Sequence, residues 1–133
     1  MLRNMLDTSL CIRLLRDRPR GLRPRFNAEA DTLCISTITL TELLHGAAKS
    51  AKPIENRREV EGFVARLSVL PFDEDAAAHA ADIRADLERK AMPIGAYDLL
   101  IAGQALCQGM TVVTSNLREF LRVPDLRCED WAA

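Results

Sequence analysis

The sequence has few of the residues that build zinc sites. It contains only two histidines, His45 and His79, which lie far apart, and four cysteines, none of them in a CxxC pair. Zinc ligands usually cluster at short spacing, so the pattern argues against a zinc centre. Free thiols, together with no segment that resembles an export signal, indicate a cytosolic protein.

Aromatic residues, excess charge and long apolar runs are also scarce. The 18 basic and 19 acidic residues leave a net charge of −1, so any nucleic-acid role must depend on a local patch. Aromatic residues make up 5% of the chain and do not cluster, which argues against a stacking platform for single-stranded RNA. No apolar run approaches the roughly 18 residues of a membrane span, so no membrane role is expected. The 133 residues are 48% hydrophobic, which predicts a single domain over 1–133.

Short β-rich runs alternate along the chain with helical patterns of about ten residues or more. This alternation predicts an α/β fold with a mostly parallel sheet of four to five strands, covered on both faces by helices. The predicted strands are 1–6, 32–36, 68–72 and 111–114, and the predicted helices are 8–17, 38–51, 55–67, 73–90, 95–108 and 117–121. The basic stretch 18–27 is a candidate short helix, and the last residues give no clear pattern.

Acidic side chains fall where the carboxyl ends of these strands are expected. Asp7 follows the first strand, Glu42 lies about one turn into the helix after the second, and Asp98 lies in the first turn of its helix. The turn 116–119 follows the strand that ends at Thr114. Sites in parallel sheets form outside the carboxyl ends of the strands, so these segments are expected to meet there.

Each of these residues also has an ordinary structural interpretation. Asp7 can cap a helix, Glu42 lies opposite the apolar face of its helix, and Asn116 can be a turn residue. Asp98 suits a helix N-terminus, but apolar residues surround it one turn on. Clustered carboxylates repel one another unless a cation neutralises them, and oxygen ligands favour Mg²⁺ or Mn²⁺. A water held by such a cation can attack a phosphate.

Five segments of the chain carry a family resemblance. They are MLDTS (5–9), ISTITLTELLHGA (35–47), IGAYDLLIAGQA (94–105), VVTSNLREF (112–120) and EDW (129–131). In this order they resemble the PIN-domain ribonucleases, and closely the VapC-type toxins of bacterial toxin–antitoxin pairs. The resemblance spans almost the whole chain. It implies a PIN-like α/β/α sandwich and endonucleolytic cleavage of RNA by metal-activated water.

The resemblance also implies roles for individual residues. Asp7, Glu42 and Asp98 match the three core acids of the family. Asp7 and Asp98 are expected to bind Mg²⁺ or Mn²⁺. Glu42 is expected to bind the metal directly or through water and to help deprotonate the attacking water. Thr8 and Ser9 are expected to bond to these groups.

One position departs from the family pattern. Many PIN domains carry a fourth acid after the last core strand, where this chain has Asn116, two residues after Thr114. Asn116 can offer a neutral oxygen, and Glu119, one turn later, can supply the missing carboxylate. Two metal ions, or one ion with a second that enters with RNA, are both compatible with this set.

A local arginine cluster stands out against the near-neutral total. Residues 13–25 contain six arginines, of which Arg13, Arg16, Arg20 and Arg23 are candidates for RNA phosphate contact. The cluster can equally be a solvated face, or a surface that helps to dock an acidic antitoxin. A folded substrate that is read by its shape, such as a tRNA stem-loop, suits the low aromatic content.

The resemblance implies partners as well. They are a VapB-like antitoxin that blocks the acidic site, a second copy of the chain in a homodimer, and operator DNA that is bound only through the antitoxin. Its expected substrates are tRNA, initiator tRNA in particular, or rRNA. Two other functions remain open at this stage. One is a non-catalytic PIN-like binding module, and the other is a receiver-like signalling domain, which would need an acidic pair after an early strand.

Overall fold

The computed structural model describes residues 1–17 and 21–131, which form a three-layer α/β/α sandwich. The strands are β1 (Asn4–Leu6), β2 (Leu33–Ser36), β3 (Ser68–Leu70), β4 (Thr111–Val113) and β5 (Cys128–Glu129). The helices are α1 (Thr8–Arg16), α2 (Leu22–Ala28), α3 (Thr37–Ala48), α4 (Pro53–Val64), α5 (Glu74–Arg89), α6 (Ala96–Cys107) and α7 (Leu117–Phe120), with a 3₁₀ turn at Ala30–Thr32.

The sheet has the order β3-β2-β1-β4-β5, and all four neighbouring pairs are parallel. Strands β2 and β3 are added on one side of β1. The chain then crosses to the other side of β1 and adds β4 and β5 there. The carboxyl ends of β1 and β4 therefore flank a topological switch point, which is where open α/β sheets form their sites. The receiver-like alternative is wrong, because receiver domains use the order 2-1-3-4-5.

Alternate strand residues enter two separate hydrophobic cores. In β1, Leu6 packs into the core beneath α1 to α4, whereas Met5 packs into the core with α5, α6 and α7. Val113 and Val112 of β4 divide in the same way. This alternation confirms that helices cover both faces of a parallel sheet, as the sequence predicted.

Polar caps and one proline set where the helices begin. The Asp7 carboxylate accepts the backbone N–H of Leu10 at the start of α1 (2.9 Å). The Ser36 hydroxyl accepts the N–H of Ile38 in α3, and Pro53 occupies the first turn of α4. The two side-chain caps bind backbone N–H groups that have no partner within the helix, and Pro53 has no N–H to satisfy. The helices therefore begin at fixed positions.

Helices α5 and α6 pack unusually closely at Gly103. A Cβ atom added to Gly103 would lie 2.7 Å from the backbone of Ala80. Only a glycine allows the two helix backbones to approach this far. The close packing fixes α6, which carries Asp98, against the rest of its layer.

Most of the sequence-based limits are right within two residues. The exceptions include strand 1–6, which begins only at Asn4, and helix 55–67, which runs from Pro53 to Val64. Helix α3 was expected to reach residue 51 but ends at Ala48, where the Ser50 hydroxyl donates to the Ala47 carbonyl and closes a turn before Pro53. Strand β5 was not predicted, because two residues show no periodicity, yet Val112 and Val113 pair with it. Within residues 1–17 and 21–131, no helix has the length and apolar character to cross a membrane.

Candidate active site

Asp7 lies at the centre of a hydroxyl network at the carboxyl end of β1. Asp7 is buried, and its carboxylate accepts hydrogen bonds from the backbone N–H of Leu10 (2.9 Å) and the hydroxyl of Thr114 (2.5 Å). The Ser9 hydroxyl lies 2.9 Å from both carboxylate oxygens. Burial raises the pKa of Asp7, although the bonds from Thr114, Leu10 and Ser9 oppose it, and the charge of Glu42 adds to the rise.

Glu42 reaches the same neighbourhood from α3. It is half-buried, and the Thr8 hydroxyl lies 2.6 Å from its Oε1 and 3.3 Å from the Thr39 hydroxyl. The interpretation of Glu42 as a solvated surface residue is therefore wrong. Because Thr8 follows Asp7 directly, β1 and the start of α1 orient both Asp7 and Glu42.

Asp98 and Glu119 form a hydrogen-bonded carboxyl pair. Burial raises the pKa of Asp98 to about 7, with further contributions from the bond to Glu119 and from the charges of Asp7, Glu119 and Glu42. Hydrogen bonding to Asp98 is the largest of the effects that lower the pKa of Glu119. Asn116 donates its side-chain amide to Glu119 Oε2 (2.9 Å).

The acids predicted from sequence lie within electrostatic range of one another at the carboxyl edge of the sheet. Asp7 and Glu42 each raise the pKa of Asp98 through their charge, which places them within electrostatic range of it. Among residues 1–17 and 21–131, none of Asp7, Glu42 and Asp98 forms an ion pair with a cationic side chain. The site therefore carries concentrated negative charge that a bound cation would stabilise.

The donor chemistry of this cluster fits a hard divalent cation, since all of its ligands are oxygens. Within the described ranges, no three His, Cys, Asp or Glu side chains lie close enough together to hold an ion by themselves. A cation here would therefore contact one or two carboxylates and keep several water ligands, which is the usual coordination of Mg²⁺.

A cavity of about 830 Å³ opens beside the acids, between α1, α3 and α4. Thr8 and Glu42 line one end of it, and Tyr97, which is 53% exposed, lines it from the start of α6. Arg16 and Lys49 line the cavity as well, and neither forms an ion pair with any residue in the described part of the chain. The cavity thus brings unpaired cations next to the acidic site.

The arginines of the predicted cluster differ in their surroundings: some are exposed on α1, and others form ion pairs. Arg13 and Arg16 are exposed on α1, and Arg16 faces the cavity. Arg23 instead pairs with Asp17 at 3.3 Å, and Arg25 pairs with Glu29 and lies over the Trp131 ring. Two further members, Arg18 and Arg20, lie outside the described residues. Contact of Arg13, Arg16, Arg20 and Arg23 with RNA phosphate stays a prediction.

Several residues at the site escaped the sequence analysis. The Ser115 hydroxyl donates to Ser9 (3.0 Å), and the Gly95 N–H donates to Glu119 (3.4 Å). His45 and Lys49 line the cavity one and two turns beyond Glu42. Their spacing of three and seven residues from Glu42 on one helix was the available signal, because such residues share a face.

Comparisons with known proteins agree with this geometry. The PIN domain family matches residues 5–126. The chain is 52% identical to the tRNA(fMet)-specific endonuclease VapC of Salmonella typhimurium, over 98% of this chain and 99% of the relative. It is 48% identical to the protein of the same name from Shigella flexneri, over 99% of this chain and 100% of the relative.

Solved structures give the same result. The chain resembles a chain in the DNA-bound VapBC structure from Salmonella typhimurium, with a TM-score of 0.95, 52% identity, and coverage of 98% of this chain and 99% of that chain. VapBC2 from Rickettsia felis, bound to a promoter DNA fragment, gives a TM-score of 0.92 at 33% identity, with coverage of 98% and 99%. The chain therefore belongs to the PIN-domain family and, within it, to the VapC-type ribonuclease toxins.

Proposed function

We propose that this chain is a Mg²⁺- or Mn²⁺-dependent endoribonuclease that cleaves tRNA, initiator tRNA in particular, and so blocks translation. The observation that carries the proposal is that Asp7, Glu42 and Asp98 lie within electrostatic range of one another, with no ion pair to a cationic side chain among residues 1–17 and 21–131. The relatives from Salmonella typhimurium and Shigella flexneri are named for tRNA(fMet), which supports the choice of substrate.

The bound cation would supply a water of lowered pKa and would stabilise the negative charge that develops on the attacked phosphate. Asp7 and Asp98 are the proposed metal ligands. Asp7 is held by Leu10, Ser9 and Thr114, so its carboxylate keeps one orientation. Glu42, oriented by Thr8, is the proposed acceptor of the proton from the attacking water.

The cavity beside the acids offers a path for the RNA. Arg16 and Lys49 line it without ion-pair partners in the described part of the chain, so they can contact phosphates on either side of the cleaved bond. Contacts to phosphates do not distinguish one base from another, which suits a folded tRNA that is recognised by its shape. Arg23 is the weaker candidate, because RNA would compete with its ion pair to Asp17.

A VapB-like antitoxin is the proposed inhibitor. Solved neighbours of this chain are VapBC complexes, two of them with DNA. An antitoxin side chain of Arg or Lys inserted among Asp7, Glu42 and Asp98 would neutralise them as a metal does. Homodimerisation, and binding of operator DNA through the antitoxin alone, belong to the same proposal. The non-catalytic binding module is not favoured, because the three acids are kept and relatives are named as endonucleases.

The test is cleavage of purified total tRNA and rRNA by the isolated chain with Mn²⁺ or Mg²⁺. We expect a discrete tRNA fragment, with its new end in initiator tRNA, that is lost in EDTA and in Asp98→Asn. The matched control is Asp82→Asn, which removes an exposed carboxylate on α5 and should leave cleavage unchanged. Cleavage that persists in EDTA or in Asp98→Asn would overturn the proposal.

A further inference from the structure

Asn116 occupies the position after β4 where many PIN domains carry an acid, and it contacts both halves of the acidic site. Its backbone N–H donates to the Thr114 hydroxyl (2.7 Å), which in turn donates to Asp7 (2.5 Å). Its side-chain amide donates to Glu119 (2.9 Å), whose carboxyl group is bonded to Asp98. One residue therefore links the two proposed metal ligands through separate backbone and side-chain bonds.

Glu119 is the carboxylate that this arrangement fixes. It accepts bonds from the Asn116 amide and from the Gly95 N–H (3.4 Å), and it shares a hydrogen bond with Asp98. A Cβ atom at Gly95 would lie 3.6 Å from Asp98 Oδ2 and 3.9 Å from Glu119 Oε2, so both carboxyl groups converge on the start of α6. The Glu119 side chain thus reaches back from α7 to the neighbourhood of Asp98.

We propose that Asn116 is a positioning residue that holds Glu119 as the fourth carboxylate of the acidic site, where its charge supports a cation bound at Asp98. The amide NH₂ group can only donate to Glu119, and it stabilises the ionised form. An acid at position 116 would instead repel Glu119. The amide at 116 and the carboxylate at 119 therefore act as a pair that replaces a single acid at 116. The inference rests on the proposed metal-dependent function. Within that site it gives the charge to Glu119 and the positioning of Glu119 to Asn116.

The test is direct titration of the RNA-free protein with Mn²⁺ by calorimetry. We expect Asn116→Ala to weaken Mn²⁺ binding about tenfold or more, as partners of metal ligands commonly do. Glu119→Gln should weaken it at least as much. The double variant should bind no more weakly than Glu119→Gln alone, because Asn116 acts through Glu119. Thermal unfolding of each metal-free variant shows whether the fold is retained.

Two further variants separate positioning from direct ligation. Asn116→Asp keeps the size of the side chain but replaces the donor by a like charge, so it should bind Mn²⁺ at least as weakly as Asn116→Ala. Thr114→Val removes the donor to Asp7 and the acceptor of the residue 116 N–H, so it should weaken Mn²⁺ binding through Asp7. Because that loss does not pass through Glu119, Thr114→Val should weaken binding further when it is combined with Glu119→Gln.

The outcomes are distinct. Unchanged Mn²⁺ binding in Asn116→Ala, or binding by Asn116→Asp as tight as wild type, would overturn the positioning role. A further loss in the double variant of Asn116→Ala with Glu119→Gln, beyond Glu119→Gln alone, would overturn the route through Glu119. Wild-type protein that binds Mn²⁺ but cleaves no tRNA would contradict the proposed function alone, and wild-type protein that binds no Mn²⁺ would contradict both.

Discussion

The hydroxyl of Thr114, at the end of β4, donates a 2.5 Å hydrogen bond to the carboxylate of Asp7, at the end of β1. The two strands are parallel neighbours, so the bond spans the topological switch point of the sheet. Both partners are shielded from solvent, because Thr114 is fully buried and Asp7 nearly so. The bond therefore ties the orientation of a proposed metal ligand to the sheet itself.

Replacing Thr114 with valine should impair the enzyme by changing Asp7. The bond from Thr114 is the largest of the effects that lower the pKa of Asp7, so its loss should raise that pKa further. Because metal binding needs ionised Asp7, the pH midpoint of cleavage should move upward and activity at neutral pH should fall about tenfold or more. Ser115→Ala, which removes a bond to Ser9 only, should have a smaller effect. An unchanged pH–rate profile would contradict this role of Thr114.

Replacing Thr8 with valine should impair the enzyme by changing the orientation of Glu42. The Thr8 hydroxyl lies 2.6 Å from Glu42 Oε1, and Thr8→Val keeps the shape of the side chain but removes the donor. We expect kcat for tRNA cleavage to fall about tenfold with little change in KM, since Glu42 would be poorly oriented for proton transfer. Thr39→Val is the matched control, because Thr39 contacts Thr8 at 3.3 Å and not Glu42. Equal kinetics for the two variants would argue against the role of Thr8.

The metal-free protein should lose stability as pH rises. Asp98 has a pKa of about 7 in the folded protein and 3.8 ordinarily, so the folded state binds more protons between about pH 4 and pH 7. The free energy of unfolding therefore falls across that window. Asp98→Asn should flatten this dependence, whereas Asp82→Asn should follow wild type. The measurement is urea unfolding in EDTA from pH 5 to 8, and parallel curves for wild type and Asp98→Asn would contradict the assignment.

Gly103 should tolerate no side chain. Gly103→Ala would place a methyl group 2.7 Å from the Ala80 backbone, which should destabilise the protein by about 1–3 kcal/mol. Gly62→Ala, in the exposed part of α4 with no atoms near its added Cβ, should instead stabilise it by about 0.5–1 kcal/mol. Thermal unfolding of both variants tests the pair. A Gly103→Ala protein as stable as wild type would show that α5 and α6 do not pack this closely.

Much of the fold followed from local patterns in the sequence. Strands and helices alternate clearly, and Ala76, Ala80, Ile83 and Leu87, whose spacing predicts one apolar face for the helix over 73–90, are all buried. Strand β5 was missed because it is two residues long and owes its existence to pairing with β4. Such pairing depends on residues distant in sequence, which local periodicity does not report.

The candidate site was predictable in its acids and less so in their partners. Asp7 was predictable because it follows a strand, and Glu42 and Asp98 because they lie near the starts of helices. A parallel sheet brings these positions to one edge. The resemblance gave Thr8 as a partner of the acids, but its contact with Glu42 crosses from α1 to α3, which no spacing reveals. The contact of Asn116 with Glu119 had a local signal, because the two residues lie three apart at the start of α7. The half-buried state of Glu42 was missed, because its own helix pattern suggested solvent.

The source of the oxygen atom added at cleavage tests the central claim most directly. Purified initiator tRNA would be cleaved in water enriched in ¹⁸O with Mn²⁺, and the new fragment ends would be analysed by mass spectrometry. Attack by a water that the carboxylate site activates predicts one ¹⁸O atom in the terminal phosphate and no cleavage in EDTA. A 2′,3′-cyclic phosphate end without ¹⁸O would mean that the RNA 2′-hydroxyl is the nucleophile, and would contradict the account.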